Sequence, residues 1–476
     1  MPSAQSLKIL FKVCLPALLL ILLKVNVSSL MVREQLYEAQ AYLRSGQHQL
    51  AAEALRNVVA REPWRIDLWE QIGMENLAAG QADQAINDLL KAKEAGALSV
   101  DGLTRLAEAY QQHGSLQQAE AVWRALLQED GPSAYRYEQL VHLQWSSGDL
   151  QGAVETLTEW RSKMPEDARA AFLLGLHLSL SEPDEAVRHL VNAAALDSRY
   201  TGQVQTVRRG ISLANTSDHE AYRSLVIGRA LGSAGYWDLA AEAFRKSIAI
   251  APEYAEAWAF LGEARFHLDG EGKDELDKAL QIGPDSPVVR ALLAVYWRRQ
   301  GAPEKALPYL EANARLEPKE PTWLLEIGQT HAENGDLIQA LEYFQKVVEM
   351  YPEHSVYYQH LARFSVQYNF DIRSIGLPAA RQALLLAPHD PAALDTMGYT
   401  LLALGDSASA ERFLQRALEE DATFAAANLH LGQLYLEQNA VERARPFLRQ
   451  AAESSGDDTV GMIARRLLMQ YFGESG

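Results

Sequence analysis

At 476 residues the chain is too long for one compact core, and with 48% apolar against 22% charged residues it is too rich in core-forming side chains for disorder. Its 44 basic and 62 acidic residues leave a formal charge of −18, a field that repels phosphate backbones and argues against nucleic acid as a partner. The single cysteine, Cys14, falls in the N-terminal apolar segment, which excludes an intrachain disulfide, a cysteine zinc site and a thiol nucleophile elsewhere in the chain.

That segment is the first element. Lys8 and Lys12 precede an apolar run over 13–23, which is followed by Lys24 and the small residues Ser28 and Ser29, the layout of an export signal. The run is shorter than the roughly 20 residues a bilayer core requires, which favours cleavage. With Lys12 and Lys24 reaching opposite headgroup layers, however, residues 9–32 are long enough to span, making a membrane tether. Residues 1–31 are thus expected to be a signal peptide or an N-terminal membrane anchor. Either places the bulk of the chain outside the cytoplasm, secreted or held at the cell membrane.

From residue 32 onward a pattern recurs about every 34 residues. Over 221–252 it reads Ile227-Gly228, Gly235, Ala240, Phe244 and Pro252; over 321–352 it reads Ile327-Gly328, Gly335, Ala340, Phe344 and Pro352, with identical offsets. Trp69, Ile72-Gly73, Gly80 and Ala85 form another copy, as do Leu140, Gly148, Ala153, Leu157 and Pro165, and also Leu431-Gly432, Tyr435 and Ala444. The mid-helix glycines let a second helix cross at close range in spite of their poor helix propensity. The turn glycines, among them Gly148, Gly235 and Gly335, are placed to end the first helix in a left-handed conformation, and prolines such as Pro165, Pro252 and Pro352 to stop the second.

In these residues the sequence resembles the tetratricopeptide repeat family, whose units carry a small residue in helix A, a glycine-type turn, Ala and Phe in helix B and a closing proline. The resemblance implies an all-α, right-handed superhelical solenoid of about twelve helix pairs, closed by a capping helix near 459–472. The N-terminal lobe of the array is expected over 32–197, the C-terminal lobe over 219–458, and the capping helix and tail over 459–476. Residues 198–218 fit no repeat and are expected to form an irregular connector with an extra helix over 201–213, where the superhelix changes direction and the lobes hinge. The pair over 168–197 has Ser181-Glu182-Pro183-Asp184 where the glycine turn belongs, and the pair over 355–388 carries about two extra residues around 368–374.

No phosphate loop, zinc helix or nucleophile turn is present; Gly270-Glu271-Gly272-Lys273 reads as a turn, and the histidines are scattered. The pairs Glu419-Glu420 and Asp457-Asp458 read as solvated surface, so neither a catalytic residue nor a metal or cofactor is expected. No non-repeat stretch has the size of a catalytic domain, which separates the chain from tetratricopeptide-bearing glycosyltransferases. The Lys and Asn pattern of the clamp that grips chaperone tails is absent as well.

The family lines a concave groove with helix A residues and holds a protein or an extended peptide there. At the matching positions the N-terminal lobe is acidic, with Asp67, Glu70, Asp101, Glu108 and Glu138 beside His142 and Trp145. The C-terminal lobe offers Arg229, Arg298, Arg299 and Arg363, with Phe266, Gln329, Gln359, Asp395 and Tyr399. On one reading the arginines fork onto carboxylates or phosphates of a partner and the acidic lobe meets basic residues; on the other, all are ordinary solvated helix faces. The aromatics Tyr351, Tyr357, Tyr358, Phe364, Tyr368 and Phe370 either anchor a ligand or fill the space made by the local insertion. The expected function is a non-enzymatic protein-binding scaffold or adaptor. The alternatives are a polysaccharide or envelope-assembly factor, a non-catalytic subunit of an enzyme complex, and a plain spacer.

Overall fold

The computed structural model describes residues 30–455 and 459–474. The apolar segment through residue 29, with Cys14, and the Asp457-Asp458 pair lie outside the described residues. Among the described residues there is no strand, and no helix is long and apolar enough to cross a membrane. Two compact units emerge: one runs through Asp218 and takes in Ser233–Gly235, the other takes in His219–Gly232 and the chain from Tyr236 onward.

The first unit opens with helix α1 over 30–44 and α2 (His48–Arg61), then α3 (Leu68–Ala78) and α4 (Ala82–Glu94), α5 (Val100–His113) and α6 (Leu116–Glu129). It continues with α7 (Ala134–Ser146) and α8 (Leu150–Lys163), and α9 (Ala168–Leu178) and α10 (Pro183–Leu196). These are five hairpins of an A helix and a B helix. A short 3-10 turn, Ser198–Tyr200, leads into a single helix, α11 (Thr201–Ala214).

The second unit holds seven hairpins: α12 (Glu220–Ser233) and α13 (Trp237–Ile250), α14 (Ala255–Asp269) and α15 (Lys273–Ile282), α16 (Pro287–Arg299) and α17 (Pro303–Leu316), α18 (Pro321–Glu333) and α19 (Leu337–Met350). After them come α20 (Ser355–Gln367) and α21 (Leu377–Leu386), α22 (Pro391–Ala403) and α23 (Ser407–Glu420), α24 (Ala425–Glu437) and α25 (Val441–Ser455), and last the unpaired α26 (Thr459–Phe472). The chain is therefore an all-α repeat array, with its closing helix where the sequence pattern put it.

Local chemistry sets the element ends. Several A helices begin on proline, whose missing N–H costs nothing in the first turn, behind an acceptor side chain: Asp390 accepts from the Ala392 N–H at 3.1 Å, and Ser286 precedes Pro287 in the same way. Most A helices end at a glycine of positive φ, such as Gly148 (81°) and Gly405 (83°). Pro165, Pro252, Pro352 and Pro388 each fall two residues past the end of a B helix, as the repeat pattern implies.

Packing follows from spacing. Every third or fourth residue of a B helix lies on one stripe, and the stripes Ala85–Leu89–Ala92 and Ala410–Leu414–Ala417 are wholly buried. The facing A helix comes so close that a Cβ on Gly73 would sit 2.5 Å from Leu89 Cγ, and one on Gly398 2.6 Å from Leu414 Cγ. Where the last stripe position is polar, it ties the hairpin shut. Ser247 Oγ donates to the Ala221 carbonyl at 2.8 Å, and Asn313 Nδ2 to the Pro287 carbonyl at 2.8 Å.

Two local features go beyond the repeat. In the first unit the buried Asp88 on α4 accepts from Arg56 Nη2 at 2.7 Å, Asn76 Nδ2 at 2.9 Å and Lys91 Nζ at 3.0 Å, so a desolvated carboxylate is fully hydrogen-bonded and joins α2, α3 and α4. In the second unit the extra residues between α20 and α21 form a π-helical turn, Ile372–Gly376, entered through positive φ at Asn369 (49°) and Asp371 (43°). Phe364 is buried there with Phe344, Tyr368 and Phe370 at ring distances of 5.0, 5.8 and 5.8 Å. Those rings fill the space of the insertion.

Gly73→Ala is expected to cost about 1–3 kcal/mol by forcing Leu89, which has no room to move, out of its rotamer. Gly328→Ala, whose Cβ would meet nothing nearer than 3.3 Å, should cost clearly less, since alanine gains roughly 1 kcal/mol of helix propensity. Urea denaturation of the two variants side by side measures the difference.

Candidate partner-binding face

Most of the A-helix positions singled out in the sequence bond to other groups of their own chain, many of them on the A helix of the adjacent hairpin. In the first unit the Glu70 carboxylate accepts from the Ser99 N–H at 2.7 Å and from its hydroxyl at 2.5 Å, covering the start of α5. Glu108 accepts from Tyr135 Oη at 2.7 Å and from Arg105 Nη1 at 2.9 Å. Burial first, and Glu108 second, push the Tyr135 hydroxyl up to about 12, so it remains a donor. Arg169 meets Glu138, and the half-buried Trp145 sets its ring edge-on to His177 at 4.9 Å. Asp67 stands at the entry to α3 and is held by Arg65, whose hydrogen bond keeps its carboxyl below the usual range.

The second unit repeats the arrangement with arginines. Arg298 donates from Nε to Glu333 at 2.7 Å and from Nη1 to Glu326 at 2.5 Å, and its side chain is only 19% exposed. Arg299 donates to Glu263 at 2.8 Å and lies over the Phe266 ring, 5.2 Å from its centroid. Arg229 is exposed and lies over Phe260 at 5.1 Å. These arginines therefore meet carboxylates and rings of their own chain. Gln329 reaches Tyr368 Oη at 3.2 Å, and Gln359 reaches Asp390 at 2.8 Å. Tyr357 packs against Tyr351 at 5.5 Å near the start of α20, apart from the rings around Phe364, and Tyr358 is half-buried.

The densest junction joins three successive A helices. Asp395 on α22 is fully buried; its Oδ1 accepts from His430 Nδ1 at 2.7 Å, and its Oδ2 lies 3.5 Å from Arg363 Nη2 without a hydrogen bond. Tyr399 stacks on the His430 ring at 4.1 Å and 8°. Beyond Tyr399 a cleft of about 430 Å³ opens, floored by Val366, Leu402, Leu436 and Leu467 and edged by Gln433, Glu437 and Tyr471. Among the described residues no group of three or more His, Cys, Asp or Glu side chains is gathered to hold a metal ion.

The partners of these junctions, Glu326, Glu333, Ser99, Tyr135 and His430, were not singled out in the sequence. They carry a signal all the same, because the partner falls about one repeat away: 28 and 35 residues for Arg298 with Glu326 and Glu333, and 35 for Asp395 with His430. Asp88, with Arg56 32 residues before it, has the same signature.

For Glu333, burial raises the carboxyl pKa, but hydrogen bonds from Arg298 and Gln329 outweigh it and hold the group below its ordinary value. A carboxyl depressed on folding adds stability above its unfolded pKa of about 4.3, and that stability disappears as pH falls through the folded value. Urea midpoints at neutral and strongly acid pH should thus fall further for the native chain than for Arg298→Ala, in which the depression is removed; parallel losses would contradict the assignment.

Models of the tetratricopeptide repeat match residues 225–287, 292–355 and 401–461. Among solved structures the chain is similar to yeast Tom70, at 14% identity over 94% of this chain and 96% of that one, with a TM-score of 0.42. It is similar also to a tetratricopeptide repeat protein from Parabacteroides merdae, at 16% identity over 52% of this chain and 99% of that one, with a TM-score of 0.42. A thermophilic repeat protein from Thermus thermophilus matches at 20% identity over 39% of this chain and all of its own length (100%), with a TM-score of 0.33.

Proposed function

We propose that this chain, a tetratricopeptide-repeat protein, is a non-enzymatic scaffold that holds a protein partner against its A helices. The reading is carried by one observation: the A helices of successive hairpins are tied side to side by their own polar residues. Such ties hold a row of helices in fixed register, and a prepared surface loses little entropy on binding. Repeat arrays offer extended surfaces of this kind because each hairpin contacts only its neighbours and leaves one edge uncovered.

The partner face is proposed to comprise what the junctions leave accessible, above all the exposed Arg229, the aromatic edge at Tyr357 and Tyr358, and the cleft beside Tyr399. The Lys-flanked apolar run over 13–23 supports export or tethering, with the array working outside the cytoplasm. On this reading the arginine and acidic residues of the A helices act on partner binding through register, not by direct contact.

Cross-linking mass spectrometry on the full chain in its native membrane and soluble fractions tests the proposal. Partner cross-links are expected on A helices and their C-terminal ends; partner contacts confined to B helices would refute it. Sequencing the N-terminus of the purified chain decides the tether: a new terminus near residue 30 means a cleaved signal, and retention of residues 9–32 with the chain in the membrane fraction means an anchor.

A further inference from the structure

The cleft beside Tyr399 is built from the ends of elements. Two A helices finish there, α22 at Ala403 and α24 at Glu437, and α26 closes the third side with Leu467 and Tyr471, one helical turn apart on the same face. A helix C-terminus is the negative end of the helix dipole, and two such ends border this one small volume. Glu437 adds a full negative charge. It is the one charged side chain lining the cleft, it is exposed, and it forms no ion pair among the described residues. Nearby, Arg363 and His430 are drawn toward the buried Asp395, so neither neutralises Glu437.

The floor has the opposite character. Val366, Leu402, Leu436 and Leu467 are aliphatic, and Tyr399 and Tyr471 line the cleft with them. One face of the Tyr399 ring is already occupied by His430, which fixes that ring in place. A site of this kind rewards an apolar group that displaces water from the floor together with a cation at the negative rim. The chain's overall charge of −18 acts in the same direction at long range.

We infer that this cleft seats a two-residue determinant of the partner: an apolar side chain on Val366, Leu402, Leu436 and Leu467, with an adjacent lysine or arginine against Glu437 and the ends of α22 and α24. The inference rests on the scaffold reading and narrows it, because it assigns the partner segment a chemistry and a place. An acidic segment is excluded by the rim, and a polar one gains nothing from the floor. Selectivity comes from the pairing of the two groups, since a cation alone would be drawn to many parts of so acidic a chain.

The test uses the full chain and three fluorescein-labelled peptides that share Gly-Ser flanks and differ at the centre: Leu-Arg, Leu-Glu and Ser-Arg. Fluorescence anisotropy should show Leu-Arg binding about tenfold or more tighter than either of the others, the range expected of one helix-end and carboxylate interaction or one buried aliphatic side chain. Glu437→Gln should remove the preference for Arg over Glu, Glu437→Lys should reverse it, and Tyr471→Ala should weaken Leu-Arg. Both positions are exposed, and circular dichroism of each variant verifies that it is folded. Equal binding of Leu-Arg and Ser-Arg would reduce the effect to nonspecific charge and overturn the inference, as would failure of Leu-Arg to bind or indifference to all three substitutions. If the native partner cross-links to other A helices while these peptides fail, the cleft assignment falls and the scaffold reading stands; if partner contacts lie on B helices, the scaffold reading falls with it.

Discussion

A single helical hairpin cannot bury its own apolar stripe, and the rest of this molecule is a response to that constraint. Many B helices carry a small-large-small stripe, such as Ala410–Leu414–Ala417, that fits beneath a glycine or other small residue of the A helix. The side left open is covered by the next hairpin, so burial accumulates along the array, and the last exposed stripe needs a lid. In the second unit α26 is that lid, and Arg445 and Arg449 reach Glu474 just past its end.

Apolar contact between hairpins is tolerant of sliding, because helix surfaces offer several nearly equivalent grooves. The polar ties remove that freedom. Glu70 on Ser99, Arg298 on Glu326 and Glu333, and Asp395 on His430 each demand one register. A buried charge left without its partner costs several kcal/mol, so a slipped array is penalised far more than a correctly seated one is rewarded. Individually the exposed pairs contribute little to stability. Their larger effect is to choose among packings.

The fold could be read from the sequence because its determinants recur. Gly228 alone would mean little; Gly228, Gly262, Gly328, Gly398 and Gly432 in register mark the same helix crossing five times over, and the breaks at 201–213 and 368–374 stand out against that rhythm. The face was harder to read. Position along the repeat identifies Arg298 as an A-helix residue, but whether it faces solvent or a carboxylate depends on the neighbouring hairpin's offset, and that offset is set by packing over many residues. Comparison of A-helix residues one repeat apart would have exposed Arg298 with Glu326 and Asp395 with His430. The cleft lay beyond that method too, since it arises where α22, α24 and α26 end and no repeat position encodes it.

The junction at Asp395 carries a mechanical consequence. One carboxylate answers to both His430 and Arg363, so α20, α22 and α24 cannot shift independently without stranding a charge in the interior. Most of a repeat array behaves as a chain of hinged links, each free to flex against the next within thermal limits. Three consecutive links here meet at a single carboxylate, through a hydrogen bond from His430 and a 3.5 Å contact from Arg363, which couples their movements. The cleft beside Tyr399 is lined by all three of these helices, so its shape follows elements that move together.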